Sequence, residues 1–448
     1  MAYYIWKSYK FSAQILPLFE ILSNNKGAFL LESGLNSNQP LGRYSIMGSE
    51  PFCILKGNSP NILAGLKEEL NKYKITSNSL PFCAGAVGYL AYDSFLNIPQ
   101  YYFALYSSAI IIDHIQKRLH IFCTGCPEKN INAAKARARA DFNKISGIVF
   151  TKPSYQLDHE LSRTPRVNIY SNFTKSQYLG AIKKVKEYIR QGQIYQLNLA
   201  QQFRATVDSS ALEIYRLLRK ESPSYFNAFF DAGAFQIISS SPERFLKVQY
   251  DKVFTRPMKG TRPRYRDIKM DRKMRKELLK SEKDKAELMM IVDLERNDLG
   301  RVCNYNSVKV LNLRQLEEYS TVFQTTASIT GRLHKDFDRI DLLRACFPGG
   351  SITGCPKIRA TEIIEKLEKT NRGIYTGSLG YLSFCGKMDS SILIRTILKK
   401  RNKVFFGSGG GIVADSNPEA EYAETLVKAK AIIRSLGGIF RYGRKSVF

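Results

Sequence analysis

The sequence predicts an α+β fold in which mostly antiparallel sheets carry helices packed against them. Two observations support that reading. Short strand-like runs dominate the first third of the chain, rich in β-branched and aromatic residues and broken by Gly, Pro and Asn. Beyond that, helical and strand patterns alternate in blocks, and successive strands are joined by short turns. With 448 residues, 44% of them hydrophobic, the chain can bury one large core or two ordinary ones.

In chain order, the strand-like runs of the first part are GAFLLES, YSIMGS, GAVGYLAY, SAIIIDH and RLHIFCTG. A polar helix is expected around Glu128 to Ile145. The irregular stretch TKPSYQLDHELSRTPRVNIYSNF follows and makes the best internal boundary. It divides the chain into an N-terminal part over 1–150, a linker over 151–169 and a main part over 170–448. TKSQYLGAIKKVKEYIRQGQ is an amphipathic helix with Ile182, Val185, Tyr188 and Ile189 on one face. IYQLNLAQQFRA, FNAFFDAG, AFQIISSS, RFLKVQ and KVFTRP are strands, and DRKMRKELLKSEKDKAELMMIVDLERND is one long helix. Helices begin near Pro356 and Pro418, with strands GSLGYLSFCG, SILIRTILKK and KVFFGSGGGIV between them.

Composition excludes several functions. No run is apolar and long enough to span a bilayer, and the start MAYYIWKSYKF lacks a signal-peptide pattern, so a cytoplasmic protein is expected. Cys123 and Cys126 form one CxxC without a second pair, which reads better as two ordinary thiols than as a zinc site. The four histidines cluster with nothing, which argues against a Ser-His triad or a histidine metal site. The net charge of +28 permits nucleic-acid binding. Its cations are spread along the chain without a nucleic-acid signature, so a lysine-rich composition or an anionic substrate explains it as well. A basic RNA-binding protein stays as the alternative from another class.

Several motifs have a chemical reading beside a bland one. In RPMKGTRPR, Lys259 is either one more surface cation or a buried amine with a chemical role. In DSNPEAEYAETLVKAK, Glu421 and Glu424 share a helix face with Lys428; a helix N-terminus favouring acids explains this equally well. Glu287 opens the apolar turn LMMIV, with Asp284 just before it. Two helices each offering an inward carboxylate could hold Mg2+. FPGGSITGCPK fails as a Walker loop because Cys355 stands where lysine is required, although its glycines could offer N–H groups to a carboxylate. GSGGGIV is either a flexible turn or a place where something approaches the backbone closely.

Taken together and in order, these blocks resemble the chorismate-utilising enzymes from about residue 170 to 435. The matching stretches are IYQLNLAQ, SPERF, RPMKGTRPR, DKAELMMIVDLERND, FPGGSITGCPK, IYTGSLGYL, MDSSILIRT, GSGGGIVADS and EAEYAET. The N-terminal third resembles the family more weakly, through LLESG and GRYSIMGSEPF. The resemblance implies two antiparallel sheets packed as a sandwich with helices outside, and makes residues 170–448 the chorismate-binding catalytic region. It implies Mg2+ held by Glu287 and Glu424, with Glu421 and Asp284 nearby, to neutralise the ring carboxylate. Tyr375 and Arg395 would hold the enolpyruvyl carboxylate. Gln196, Gly260, Thr261, Ser351, Gly409, Gly410, Gly411 and Lys428 would contact substrate, and Glu243 would protonate the departing C4 hydroxyl.

Two positions sort the branches of the family. Isochorismate and salicylate synthases activate water with a lysine where this chain has Gln196. Aminodeoxychorismate synthases typically carry a lysine at the position of Lys259, where anthranilate synthases have alanine. The resemblance therefore points to aminodeoxychorismate synthase component I, with anthranilate synthase component I as runner-up. It implies a covalent intermediate between Lys259 and C2 of chorismate. The amine would have to be neutral, and Arg256, Arg262, Arg264 or partial burial could lower its pKa. Ammonia from a separate glutamine amidotransferase subunit, and a separate aminodeoxychorismate lyase downstream, are expected as partners, with no nucleic acid and no membrane. Gln324 stands where many members have histidine. Ser33, Tyr44 and Ser45, with SPSYFNAFF, resemble the tryptophan site of the anthranilate branch.

Overall fold

The computed structural model describes residues 3–440 apart from 13, 36–39, 77–78, 151–166 and 320–321. Two sheets make up the framework among the described residues. The larger, of 13 strands, starts at Tyr4–Lys10 and runs through the N-terminal strands to Phe29–Glu32. It continues through Phe226–Asp231, Gln236–Ser241, Thr396–Lys400, Lys403–Ile412, Gln196–Thr206 and Val167–Ser171. The smaller, of 10 strands, runs from Met258–Pro263 through Val322–Arg332 and the strands near Lys252 and Arg244. It then passes Met388–Ile392, Ser378–Ser383 and Gly85–Leu90 to Tyr101–Tyr106 and Cys53–Gly57. Both sheets thus mix strands from before and after the linker. Phe29–Glu32 pairs with Phe226–Asp231, and Gly85–Leu90 pairs with Ser378–Ser383.

The sheets pack face to face around the main core, where Phe29, Phe230 and Ile237 meet Tyr89, Tyr102 and Leu379. Phe230 meets the Tyr102 ring edge-on at 5.6 Å between centroids. Helices cover the outside. Leu18 and Phe19, Ile214 and Leu218, and Ile432 close over the outer face of the larger sheet. This is a sandwich with external helices, as the resemblance implied. No helix among the described residues is long and apolar enough to cross a membrane.

Several sequence expectations need correction. The predicted long helix is two, Ile268–Lys280 and Glu282–Gly300. Ser281 is extended (φ −67°, ψ 106°), and its hydroxyl accepts the Asp284 N–H at 3.1 Å. A serine that caps the second helix ends the first. SILIRTILKK is not one strand: Met388–Ile392 lies in the smaller sheet and Thr396–Lys400 in the larger. The chain changes sheets at Arg395, which has φ +50°. The run KVFFGSGGGIV is a strand, Lys403–Ile412, as expected, so its glycines form no flexible turn; Gly409, Gly410 and Gly411 lie opposite Ala200, Leu199 and Asn198. The polar helix spans Ile131–Phe150, starting after Asn130, whose side chain accepts the Asn132 and Ala133 N–H groups. Residues 151–166 of the expected linker lie outside the described residues, and Val167–Ser171 is a strand.

Candidate active site

A cleft of about 1230 Å3, its solvent-filled mouth included, opens where the two sheets diverge. Strands Gln196–Thr206 and Lys403–Ile412 of the larger sheet face Met258–Pro263 of the smaller, and helices Glu282–Gly300 and Pro418–Ser435 close the sides. Lys259, Glu243, Gly260, Thr261, Asp284, Glu287, Ser351, Tyr375, Arg395, Gly409, Gly411, Glu421, Glu424 and Lys428 all line it. Gln196 and Gly410 do not line it but stand directly behind the wall. A Cβ placed on Gly411 would come within 2.4 Å of Gln196 Nε2 and 3.2 Å of Lys259 Nζ, so both side chains face one spot. Gly410 faces Glu421 and Glu424, whose carboxylate oxygens would lie 3.5 and 3.8 Å from a Cβ there.

Lys259 is aimed into the cleft by a bulge. It pairs with Thr325, Thr261 pairs with Gln324, and the register shifts between them at Gly260. Gly260 has φ +74°, and a Cβ there would press on Leu278 at 2.8 Å and Asp284 at 3.0 Å. Glycine is the residue that fits both demands. Desolvation in the cleft lowers the Lys259 pKa; Lys428 lowers it further, while Glu287, Glu243 and Glu424 pull it back up. The arginines expected to depress it are occupied elsewhere. Arg256 pairs with Glu317, Arg262 with Asp284 at 3.0 Å and Arg264 with Asp271 at 2.9 Å.

Glu243 is buried, and burial pushes its carboxyl up to about 7 against the hydrogen bond from Ser351 and the charge of Lys259. Behind it lies Glu295, which the sequence reading did not single out. Burial pushes Glu295 up to about 8, with the neighbouring Glu243 carboxylate adding to the rise. Thr255 Oγ1 donates to Glu295 Oε2 at 2.9 Å. The sequence signal, one acid in the LERND turn, does not distinguish it from a surface charge.

Arg395 has no ion-pair partner among the described residues; its guanidinium makes a 3.5 Å approach to Ser222 Oγ, while its carbonyl accepts the Ser240 N–H. An unpaired guanidinium in a cleft calls for an anion. Tyr375 lines the same cleft, its ring filling the space where Gly407 lacks a side chain and lying 6.0 Å from the Arg372 guanidinium. Missed by sequence, Arg372 and Glu368 form a buried pair at 2.6 Å that braces the wall. Arg372 donates to Asn198 O and Ile352 O, and Glu368 accepts the Ala200 N–H. Their i, i+4 spacing was the available signal.

The acidic end of the cleft is organised around lysines. Lys283, not anticipated, lies 3.2 Å from Glu421 Oε1 and 3.9 Å from Glu287 Oε1. Lys428 meets Glu424 Oε1 at 2.7 Å and donates to Gly409 O. The pair expected on a helix surface therefore forms at the cleft wall. Burial raises the Glu287 pKa; burial also pushes Glu424 up, but Lys428, Lys259 and Lys283 together lower it below its ordinary value. Among the described residues, no three Asp, Glu, His or Cys side chains are gathered closely enough to hold a metal alone. Glu421 and Glu287 nonetheless bring hard oxygens to one positive charge, the Lys283 ammonium, with Glu424 held beside them by Lys428 and Asp284 by Arg262. Mg2+ typically takes one or two protein carboxylates and completes its shell with water and substrate oxygens, so the set fits it.

Both amide atoms of Gln196 and the Oε1 of Gln324 are buried without partners, while Gln324 Nε2 donates to Thr261 Oγ1 at 3.2 Å. Unsatisfied buried amides beside Lys259 are positions a polar ligand would satisfy. A second cavity lies between the sheets and is lined by Glu32, Tyr44, Asn227 and Arg244. Of the residues likened to a tryptophan site, Tyr44 and the stretch Tyr225, Phe226, Asn227 and Ala228 of SPSYFNAFF line it, while Ser33 and Ser45 do not. Ser45 instead bonds His114 at 2.8 Å, and the Ser33 hydroxyl donates to Leu35 O. Cys123 and Cys126 are buried free thiols.

Residues 28–434 match the model of the chorismate binding enzyme family. The chain belongs to that family. Relatives within it fall on two branches at the same level of similarity. Aminodeoxychorismate synthase component 1 of Escherichia coli (strain K12) is 36% identical over 449 residues, covering 93% of this chain and 95% of that one. Anthranilate synthase component 1 of Aquifex aeolicus (strain VF5) is also 36% identical, over 455 residues, covering 92% and 90%. Among solved structures, anthranilate synthase component I from Streptococcus pneumoniae TIGR4 superposes with a TM-score of 0.78 at 30% identity, over 88% of this chain and 92% of that one. The protein is a chorismate-utilising enzyme, and overall identity does not choose its product.

Proposed function

We propose that this family member is component I of an aminodeoxychorismate synthase, forming 4-amino-4-deoxychorismate for 4-aminobenzoate and folate synthesis. The observation that carries the reading is Lys259, an amine with its pKa lowered by burial, beside the protonated-range carboxyl of Glu243. Neutral Lys259 Nζ attacks C2 of chorismate while the C4 hydroxyl leaves. Glu243 gives that oxygen its proton, so water departs. Ammonia then adds at C4 and expels the lysine. With C2 occupied by the protein, ammonia is kept from the ortho position. Arg395 and Tyr375 hold the enolpyruvyl carboxylate, and Gln196, lacking basicity, leaves water unactivated.

Glu287 and Glu424, with Glu421 and Asp284 close by, would hold Mg2+; the ion would supply charge neutralisation for the ring carboxylate. The ammonia is proposed to come from a separate glutamine amidotransferase subunit, in line with the component 1 relatives. The cavity at Tyr44 is the proposed place for a tryptophan-like ligand. Anthranilate synthase component I is the second reading, favoured by the equal identity of the anthranilate relatives. Incubation with chorismate, Mg2+ and ammonium, with products identified by mass, separates the two. Aminodeoxychorismate is expected, and anthranilate as the main product would overturn the proposal.

A further inference from the structure

The helix Ile268–Lys280 packs directly over the strand that carries Lys259, its Leu278 side chain filling the space above Gly260. Its exposed face forms a depression lined by six cations, Arg262, Lys269, Arg272, Lys273, Lys276 and Lys280, against one carboxylate, Glu277. Positions 269, 272, 273, 276 and 280 follow the helical repeat, so the charges share one face. Among the described residues, Lys269, Arg272, Lys276 and Lys280 enter no ion pair; elsewhere on the helix Arg275 is drawn to Glu318. Arg262 lines both this depression and the catalytic cleft, so the two adjoin at its side chain. Arg262 pairs with Asp284 and Lys273 with Glu277, which leaves four of the six cations without a counter-ion among the described residues; such an excess of like charge destabilises a bare surface, and the arrangement makes sense beside a pocket that admits an anion.

We propose that this basic face is a vestibule that collects the dicarboxylate substrate and delivers it to the cleft. A dianion arriving near the helix meets a field of one sign, and Arg262, already tied to Asp284, marks the passage inward. The remaining background of the +28 charge is spread over the molecule, whereas this concentration sits at the entrance. The inference rests on chorismate being the substrate and is independent of which product forms.

The test is the ionic-strength dependence of chorismate turnover by the full chain, with Mg2+ and saturating ammonium. Arg272→Glu/Lys276→Glu/Lys280→Glu is compared with an equal charge change far from the cleft, Lys129→Glu/Lys135→Glu/Arg139→Glu, at the start of the helix on the opposite edge of the larger sheet. At about 10 mM salt, where screening is weak, kcat/KM of the first variant should fall about tenfold while kcat moves less than about twofold. The deficit should shrink severalfold by about 0.5 M salt. The distant variant should stay within about twofold of wild type in both parameters. An undiminished kcat/KM in the helix variant, an equal loss in the distant one, or a loss confined to kcat overturns the vestibule. Absence of any chorismate consumption by the wild type would instead overturn the substrate assignment.

Discussion

At the residue scale, chemistry is set by burial, which sequence reveals poorly. Glu243 follows a strand in SPERF and carries no local signal; its carboxyl becomes an acid near neutrality because protein surrounds it. The proposed role requires Glu243 protonated and Lys259 neutral. As pH rises through about 7, Glu243 loses its proton while Lys259 passes to its neutral form, so with free ammonia held constant the rate should fall about tenfold per pH unit only once pH is above both groups. A Glu243→Gln variant that keeps its rate within about tenfold of wild type would rule out Glu243 as the acid. Glu287→Gln and Glu424→Gln each remove one anionic oxygen donor with little change of shape. Each should cut turnover on the order of a hundredfold or more with the circular-dichroism spectrum unchanged. Near-wild-type activity at low Mg2+ in either variant would remove that residue from the metal site. What the sequence did show at this scale came from ordered motifs; the pairings of Lys283 with Glu421 and of Glu295 with Thr255 depend on contacts distant in the chain and were not visible, and the Glu368–Arg372 pair left only its i, i+4 spacing.

At the element scale, periodicity located the amphipathic helix at Lys175–Arg190 and most strands, but it gave no sign of where a strand leaves one sheet for the other. SILIRTILKK reads as continuous because both halves are apolar, and the left-handed backbone of Arg395 in its middle is what turns the guanidinium to the cleft. The glycine strand gives a sharp contrast. A Cβ on Gly409 would meet Leu199 O at 2.5 Å and Ala200 Cα at 2.9 Å, both rigid backbone atoms. Gly410 has only ordinary contacts of 3.5 Å and beyond. Gly409→Ala should therefore lose about 1–3 kcal/mol in urea unfolding, and Gly410→Ala well under 1 kcal/mol. Equal stability of the two variants would contradict the backbone approach seen in this strand.

At the scale of the whole molecule, the boundary near residue 150 divides the chain but not the fold. Removing residues 1–150 would strip Phe29–Glu32 from Phe226–Asp231 and Gly85–Leu90 from Ser378–Ser383, exposing two central sheet edges and half of the core between them. A 167–448 fragment is expected to be insoluble alone and to be rescued by co-expression with 1–150; a soluble, cooperatively unfolding fragment would show an independent domain. The intact sandwich brings Lys259 and Glu243 to one cleft with Gln196 at its wall, and the proposed product depends on that convergence. The most direct measurement is intact and peptide mass analysis of wild type and Lys259→Ala after mixing with chorismate and Mg2+, followed by ammonium and product identification. Wild type should carry an adduct on the Lys259 peptide and release aminodeoxychorismate, while the alanine variant carries none, makes it far more slowly and releases some 2-amino product or anthranilate. Aminodeoxychorismate formed by Lys259→Ala at an undiminished rate would show that Lys259 is not the nucleophile.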